Sequence, residues 1–151
     1  MAQSTTVVNG CDAVIKFDSE AGALVDISGT TNELGLVFGL NSELWRSFGS
    51  RYPGRLTCGK DMTGSFKIVY SPTVAEGREL IEEWYHTSNG DARSFQVDLP
   101  DSSVGSLRYS GEVILETGYE IPTVAAGEAK PIEITFTIAA AGEITLDTIA
   151  S

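Results

Sequence analysis

The sequence holds one histidine, two cysteines, five prolines and only ten basic residues in 151 positions. With His86 alone, any Ser-His-Asp or Cys-His constellation has a single place to form. A histidine in the last turn of a helix ordinarily answers the helix dipole instead. Cys11 and Cys58 are too few for a disulfide scaffold, and their spacing fits no zinc or redox motif. Both are read as reduced thiols, with a Cys11–Cys58 bridge in an exported protein as the alternative. No apolar run approaches the roughly 18 residues of a membrane helix, so no membrane partner is expected. Residues 1–6 carry neither a basic nor an apolar signal-peptide region, so no export signal is expected. There is no HExxH and no Asp-rich calcium loop, so no metal, cofactor or catalytic residue is expected. Ten bases against 21 acids leave a formal charge of −11, the opposite of the balance that grips duplex DNA.

What is present is core material and β-strand patterning. The chain is 42% hydrophobic and 21% charged, which excludes wholesale disorder and suits one domain over residues 1–151. Ala13, Ile15 and Phe17 alternate with Val14, Lys16 and Asp18, as in a half-buried strand. Residues 24–27 form a second short strand and residues 32–40 a third. Residues 65–70 place Phe66, Ile68 and Tyr70 inward, and residues 94–99 do the same with Phe95, Val97 and Leu99. One helix is expected at about 72–87. Thr73 and Glu76 form a capping box, or Ser71 caps with Pro72 in the first turn. Its apolar stripe is Val74, Leu80, Ile81, Trp84 and Tyr85, with Glu79, Glu82 and Glu83 solvated. Asn89-Gly90 ends it.

The last third reads as a long hairpin, about 107–140. Residues 107–121 set Tyr109, Val113, Leu115, Tyr119 and Ile121 against Ser110, Glu112, Glu116 and Glu120. Such a strand would span roughly 50 Å at about 3.3 Å per residue, far beyond the usual length. After a turn over 122–129, residues 130–140 return with Ile132, Ile134, Phe136 and Ile138 on one face and Glu133, Thr135 and Thr137 on the other. A final strand covers 143–149. The pattern is therefore mainly β, with one helix covering a side of the β core. Long strands with spare edges invite aggregation unless something pairs them. A barrel shared between subunits would use those edges and give the acidic face a watery lumen.

Charge is unevenly placed. Residues 44–60 hold Arg46, Arg51, Arg55 and Lys60 with no acid, and the aromatics Trp45, Phe48 and Tyr52 stand among them. A basic loop on an acidic body suits head-to-tail stacking of subunits. A single-strand nucleic-acid site is the competing use of a basic-aromatic loop, and the overall charge opposes it. Gly54 to Asp61 nearly fits a P-loop, but Asp61 stands where the magnesium-binding hydroxyl belongs. The acid pairs Glu82/Glu83 and Asp98/Asp101 resemble glycosidase carboxylates, yet with this many acids chance pairs on a solvated surface are the default.

Several short motifs, in order, resemble a known family. Asp26-Ile27-Ser28-Gly29 precedes Asn32-Glu33-Leu34. Ser47-Phe48-Gly49 precedes Pro53-Gly54-Arg55-Leu56 and Gly64-Ser65-Phe66-Lys67-Ile68. Tyr109 to Ile114, Tyr119-Glu120-Ile121, Ile134 to Thr137, Gly142 and Leu146 follow. From about Ala13 onward this is similar to the major tail tube proteins of long-tailed, siphovirus-like bacteriophages. Leu44-Trp45-Arg46 and the inserted Arg55 depart from the family pattern in loop detail.

The resemblance implies a mainly β fold, a β-sandwich or partly open barrel of two packed antiparallel sheets with one flanking helix, and a structural protein without catalysis. Six copies would form a ring, and rings would stack into a tube whose inner strands build one barrel around the bore. Double-stranded DNA would pass through it without specific binding. Tape-measure, tail-terminator, baseplate and head-completion proteins would be partners, and the site would be the virion tail, assembled in the host cytoplasm. Glu112, Glu116, Glu120 and Glu133 are the candidates to line the lumen, the alternative being that they face outward. Trp45, Arg46, Arg51, Tyr52, Arg55 and Lys60 are the candidates for ring stacking. A monomeric β-sandwich binding module, carbohydrate-binding or adhesin-like, is the alternative from another class. The tube of a phage-derived secretion or killing device is the structural alternative.

Overall fold

The computed structural model describes residues 12–49, 51–71, 77–99, 102–127 and 129–150. The elements run β1 (Val14–Asp18), β2 (Leu24–Asp26), β3 (Thr31–Trp45), β4 (Gly54–Val69), α1 (Gly77–His86), β5 (Arg93–Leu99), β6 (Leu107–Glu120), β7 (Glu133–Ala140) and β8 (Thr145–Thr148). A 3-10 turn, Ser28–Thr30, carries the chain from β2 to β3. All pairings are antiparallel, in the order β2-β1-β5-β6-β7-β4-β3, with β8 added against the first part of β6.

This is the expected mainly β, two-layered fold with one helix, but the layers are two halves of one sheet. β1 and β4 are four strand steps apart, which in a flat sheet is about 19 Å. Yet the Phe17 ring on β1 lies 5.4 Å from Phe66 on β4 and 6.1 Å from Phe136 on β7. The sheet curls until its halves face each other, without closing into a barrel. Phe66 and Phe136, directly paired across β4 and β7, stack at 5.0 Å. Burying each such ring contributes about 1.5–3 kcal/mol, and Phe17 is fully buried at the centre of the cluster.

The helix closes one open side. Leu80, Ile81 and Trp84 face the core, and Phe17 meets the Trp84 indole at 5.8 Å. Trp84 Nε1 donates to the Asp91 carbonyl at 2.7 Å, which ties the helix exit to the start of β5. Asn89 and Gly90, both at positive φ, make the expected stop. The expected helix start over 72–76 lies outside the described residues, as do Cys11 and Asp101.

Some expectations fail for identifiable reasons. Tyr70, Ile121 and Ile132 were expected inward but are exposed, because each lies beyond the end of its strand, past the curled core. Tyr85 is also exposed, its ring edge-on to Tyr119 instead of in the core. Glu83 is not merely solvated: both its oxygens accept from the buried Arg93 at 2.7 Å. The largest difference concerns residues 44–60. Trp45 and Gly54 to Lys60 are strand, so the basic segment is the outer half of a hairpin of 15 and 16 residues, with only residues 46–53 between the strands.

Candidate assembly and conduit surfaces

Strand parity builds the first surface. Met62, Phe66 and Ile68 of β4, Ile134, Phe136 and Ile138 of β7, and Val113 and Leu115 of β6 are buried. The residues between them must point the other way. Register brings Ser65 beside Thr137, Lys67 beside Thr135 and beside Glu33, Val69 beside Glu133, and Glu120 beside Thr135. The outer face of this half-sheet is therefore hydroxyl-rich and acidic. Thr117 Oγ1 and Thr137 Oγ1 are 2.8 Å apart, which extends the hydroxyl row to β6.

Three of the four candidate lumen glutamates, Glu112, Glu120 and Glu133, share this face by parity. Glu133 is half-buried: Asn32 Nδ2 donates to it at 3.1 Å, and Lys67 lies 3.7 Å away. Glu116 is placed differently. Between Leu115 and Tyr119 the β6–β7 register slips, with Gly118 at φ 83. Glu116 sits in that irregularity at the margin of the sheet, lining a cleft of about 520 Å³ with His86, Asn89 and Thr117. Parity reasoning from sequence could not see the slip.

The second surface is the outer arm of the β3–β4 hairpin. Opposite residues of an antiparallel pair share a face. Leu40 pairs with Lys60 and Leu44 with Arg55, so these four lie on the side that nearer the body carries Leu36, Phe38 and the buried Met62. The other side carries Glu43, Asp61, Gly39, Asn41 and Trp45. Charge is thus sorted by face within the strands: Arg55 and Lys60 with leucines on one, Glu43 and Asp61 with Trp45, Leu56 and small residues on the other. Asn41 pairs with Gly59 but Ser42 with Thr57, so Cys58 is an extra residue, a bulge. The Trp45 indole lies flat over Gly54, where a Cβ would overlap the ring. The arm is uncovered: Leu40 is 65%, Tyr52 84% and Phe48 fully exposed. Arg46, Arg51, Arg55 and Lys60 are likewise exposed. Outside residues 44–60 the chain keeps 6 bases and 21 acids, a charge of −15.

The catalytic-looking patterns dissolve. Gly54 to Asp61 is extended strand and cannot wrap a phosphate. His86 stands in the last turn of α1, its Nε2 2.8 Å from the Tyr119 hydroxyl. Asp98, expected on a solvated surface, is fully buried in an ion pair: Arg108 donates to its two oxygens at 2.7 and 3.0 Å, and Ser102 donates at 2.7 Å. Burial opposes ionisation of Asp98, but these hydrogen bonds and the charges of Arg108 and Lys16 outweigh it, so its carboxyl titrates below the ordinary range. Glu83 is likewise held low, first by its hydrogen bond from Arg93, against some burial, with help from Ser88. Among the described residues no group of His, Cys, Asp and Glu is arranged to hold a metal. Sequence reading missed Arg93 and Asp98 as buried charges and Lys67 as the base on the acidic face. The i and i+10 spacing of Glu83 and Arg93, and of Asp98 and Arg108, offers no local signal.

No family model and no curated protein matches the chain in sequence. Solved structures do match over nearly its whole length. A chain of the anti-feeding prophage baseplate is 12% identical with a TM-score of 0.74, covering 99% of this chain and 100% of that one. A chain from the tail of an empty gene transfer agent particle, a six-fold symmetric assembly, is 18% identical with a TM-score of 0.70, covering 94% of this chain and all of that one. The SPP1 tail tube subunit is 18% identical with a TM-score of 0.73, covering 96% of this chain and 81% of that one. Identities this low speak for backbone architecture, and on that ground the curled sheet, its flanking helix and its long hairpin are the tail-tube fold.

Proposed function

We propose that this protein is the structural subunit of a phage tail tube, acting by self-assembly and not by catalysis. The observation that carries this reading is the β3–β4 arm, a two-faced hairpin on which Leu40, Leu44, Phe48, Leu56 and the bases stay exposed among the described residues. The acidic body of a second copy supplies their cover. Arg46, Arg51, Arg55 and Lys60, with Trp45 and Tyr52, form the stacking contact between successive rings.

The sheet edges support lateral assembly. β3 ends the strand order, and β6 beyond Val113 has no partner in β5. Joining the β3 edge of one subunit to the β6 edge of the next, past the Leu115 N–H that donates to the Gly90 carbonyl, is a heterologous contact that closes into a ring. Six copies per ring agree with the resemblance. In that arrangement the outer face of β6, β7, β4 and β3 lines the bore. Glu112, Glu120 and Glu133 stand on the wall, and Glu116 stands at the joint between subunits. Duplex DNA carries one charge per about 1.7 Å of axis, and a wall of like charge keeps it from sticking. Screening over about 8–10 Å keeps the barrier modest at cellular salt. Tape-measure, terminator, baseplate and head-completion proteins are the further partners, in a virion tail assembled in the host cytoplasm.

Negative-stain microscopy of concentrated, purified protein tests this reading. Hollow tubes with a regular ring repeat are expected. A species that stays monomeric at every concentration overturns it and favours a monomeric β-sandwich binding module. The likeness to an anti-feeding prophage baseplate chain favours, as second reading, the tube of a phage-derived device. Particles that carry tubes but no packaged genome would select it.

A further inference from the structure

Resting on the proposed bore, we infer that Glu33 and Glu133 form a charge mask over Lys67 that prevents the wall from gripping passing nucleic acid. Strand parity places two bases on the outer face of β3, β4, β6 and β7: Arg108, which the buried Asp98 carboxylate already engages, and Lys67. Its ammonium lies 3.8 Å from Glu33 Oε2 on one neighbouring strand and 3.7 Å from Glu133 Oε2 on the other. Asn32 Nδ2 holds the second oxygen of Glu133 at 3.1 Å and fixes that carboxylate in place. Two negative charges thus flank one positive charge, and each site presents a net charge of −1 to the bore.

Stability alone does not account for this arrangement. Ion pairs at partly exposed positions and separations near 4 Å contribute little to folding. Their consequence for a polyanion is larger. An unmasked lysine in every subunit would offer a ring of phosphate contacts. Each contact that releases a counterion raises affinity by roughly tenfold at about 0.1 M salt. The wall needs Lys67 for a separate reason: without it, Glu33 and Glu133 would repel each other across β4. The two carboxylates and the lysine are therefore a matched set, in which cation relieves acids and acids hide cation from DNA.

The test uses assembled tubes, short duplex DNA and nuclease. Tubes of the E33Q/E133Q variant should retain DNA in nuclease-resistant form at least about fivefold above wild type at low salt, the excess vanishing as salt rises. The E112Q/E120Q variant removes as many charges from the same wall away from Lys67 and should stay at the wild-type level. Adding Lys67→Gln to E33Q/E133Q should abolish the excess. Equal retention by E112Q/E120Q, retention that survives Lys67→Gln, or no excess in E33Q/E133Q overturns the mask. Failure of the wild type to form tubes instead overturns the functional reading on which the mask rests.

Discussion

At the scale of single residues, the buried charges make the sharpest predictions. Asp98 is fully buried, whereas its partner Arg108 remains 30% exposed. Removing the arginine strands a buried carboxylate; removing the carboxylate leaves a guanidinium that still reaches water. Arg108→Leu is therefore expected to cost about 3–5 kcal/mol and Asp98→Asn about 1–3 kcal/mol, as measured by denaturant titration at pH 6. Because the folded state holds the Asp98 carboxyl below its usual value near 3.8, the stabilisation is complete above that value. It disappears as pH falls through the lower, folded-state value. The gap between Asp98→Asn and wild type should consequently narrow at pH 3. A gap that stays constant would remove Asp98 from the acid response. Phe17 touches Phe66, Phe95, Phe136 and Trp84, so Phe17→Ala should cost about 3–5 kcal/mol and lower Tm accordingly.

At the scale of elements, the hairpin arm shows how far a sequence can be read. Alternation located β1, β5, β6 and β7 because each has a buried side and a wet side. The same rule lost β3 beyond Leu40 and β4 before Ser65; outside Met62 and Gly64, both faces there are largely exposed and neither is uniformly apolar. Glycines 49, 54 and 59 and Pro53 there read as loop, although Gly54 and Gly59 lie within β4. The basic cluster itself was legible from composition; the placing of Arg55 and Lys60 on one face was not, since the Cys58 bulge changes the parity. The charge-reversal variant R46E/R51E/R55E should leave the monomer folded, with unchanged circular dichroism and Tm. It should also stop tube growth, seen by sedimentation and microscopy. Normal tubes from this variant would take the arm out of the stacking contact.

At the scale of the whole molecule, one sheet serves two environments. Its concave side holds the aromatic core, and the outer side of the β6-β7-β4-β3 half carries hydroxyls and carboxylates. That separation was legible from the two-faced patterns of residues 107–121 and 130–140. Which distant strands would meet was not, because the curl is set by packing of Phe17 against rings far away in sequence. Replacing Glu112, Glu120 and Glu133 by Lys inverts the sign of the proposed wall. Tubes should still assemble, while genome delivery slows at low salt and recovers partly as salt rises. Delivery at the normal rate would assign the bore to the other face. Glu116→Lys should instead disturb ring closure, since the register slip places it at the sheet margin.

The surplus residue opposite Asn41 and Ser42 sets the handedness of the arm's chemistry. Excising Cys58 would let Thr57 face Ser42 in plain register, so Arg55 would keep company with Lys60. Inserting a residue between Arg55 and Cys58 would turn Arg55 toward Glu43 and put a base on the acidic side. The arm therefore tolerates shortening by one but not lengthening by one, and a pair of indel variants compared for polymer yield would reveal that asymmetry.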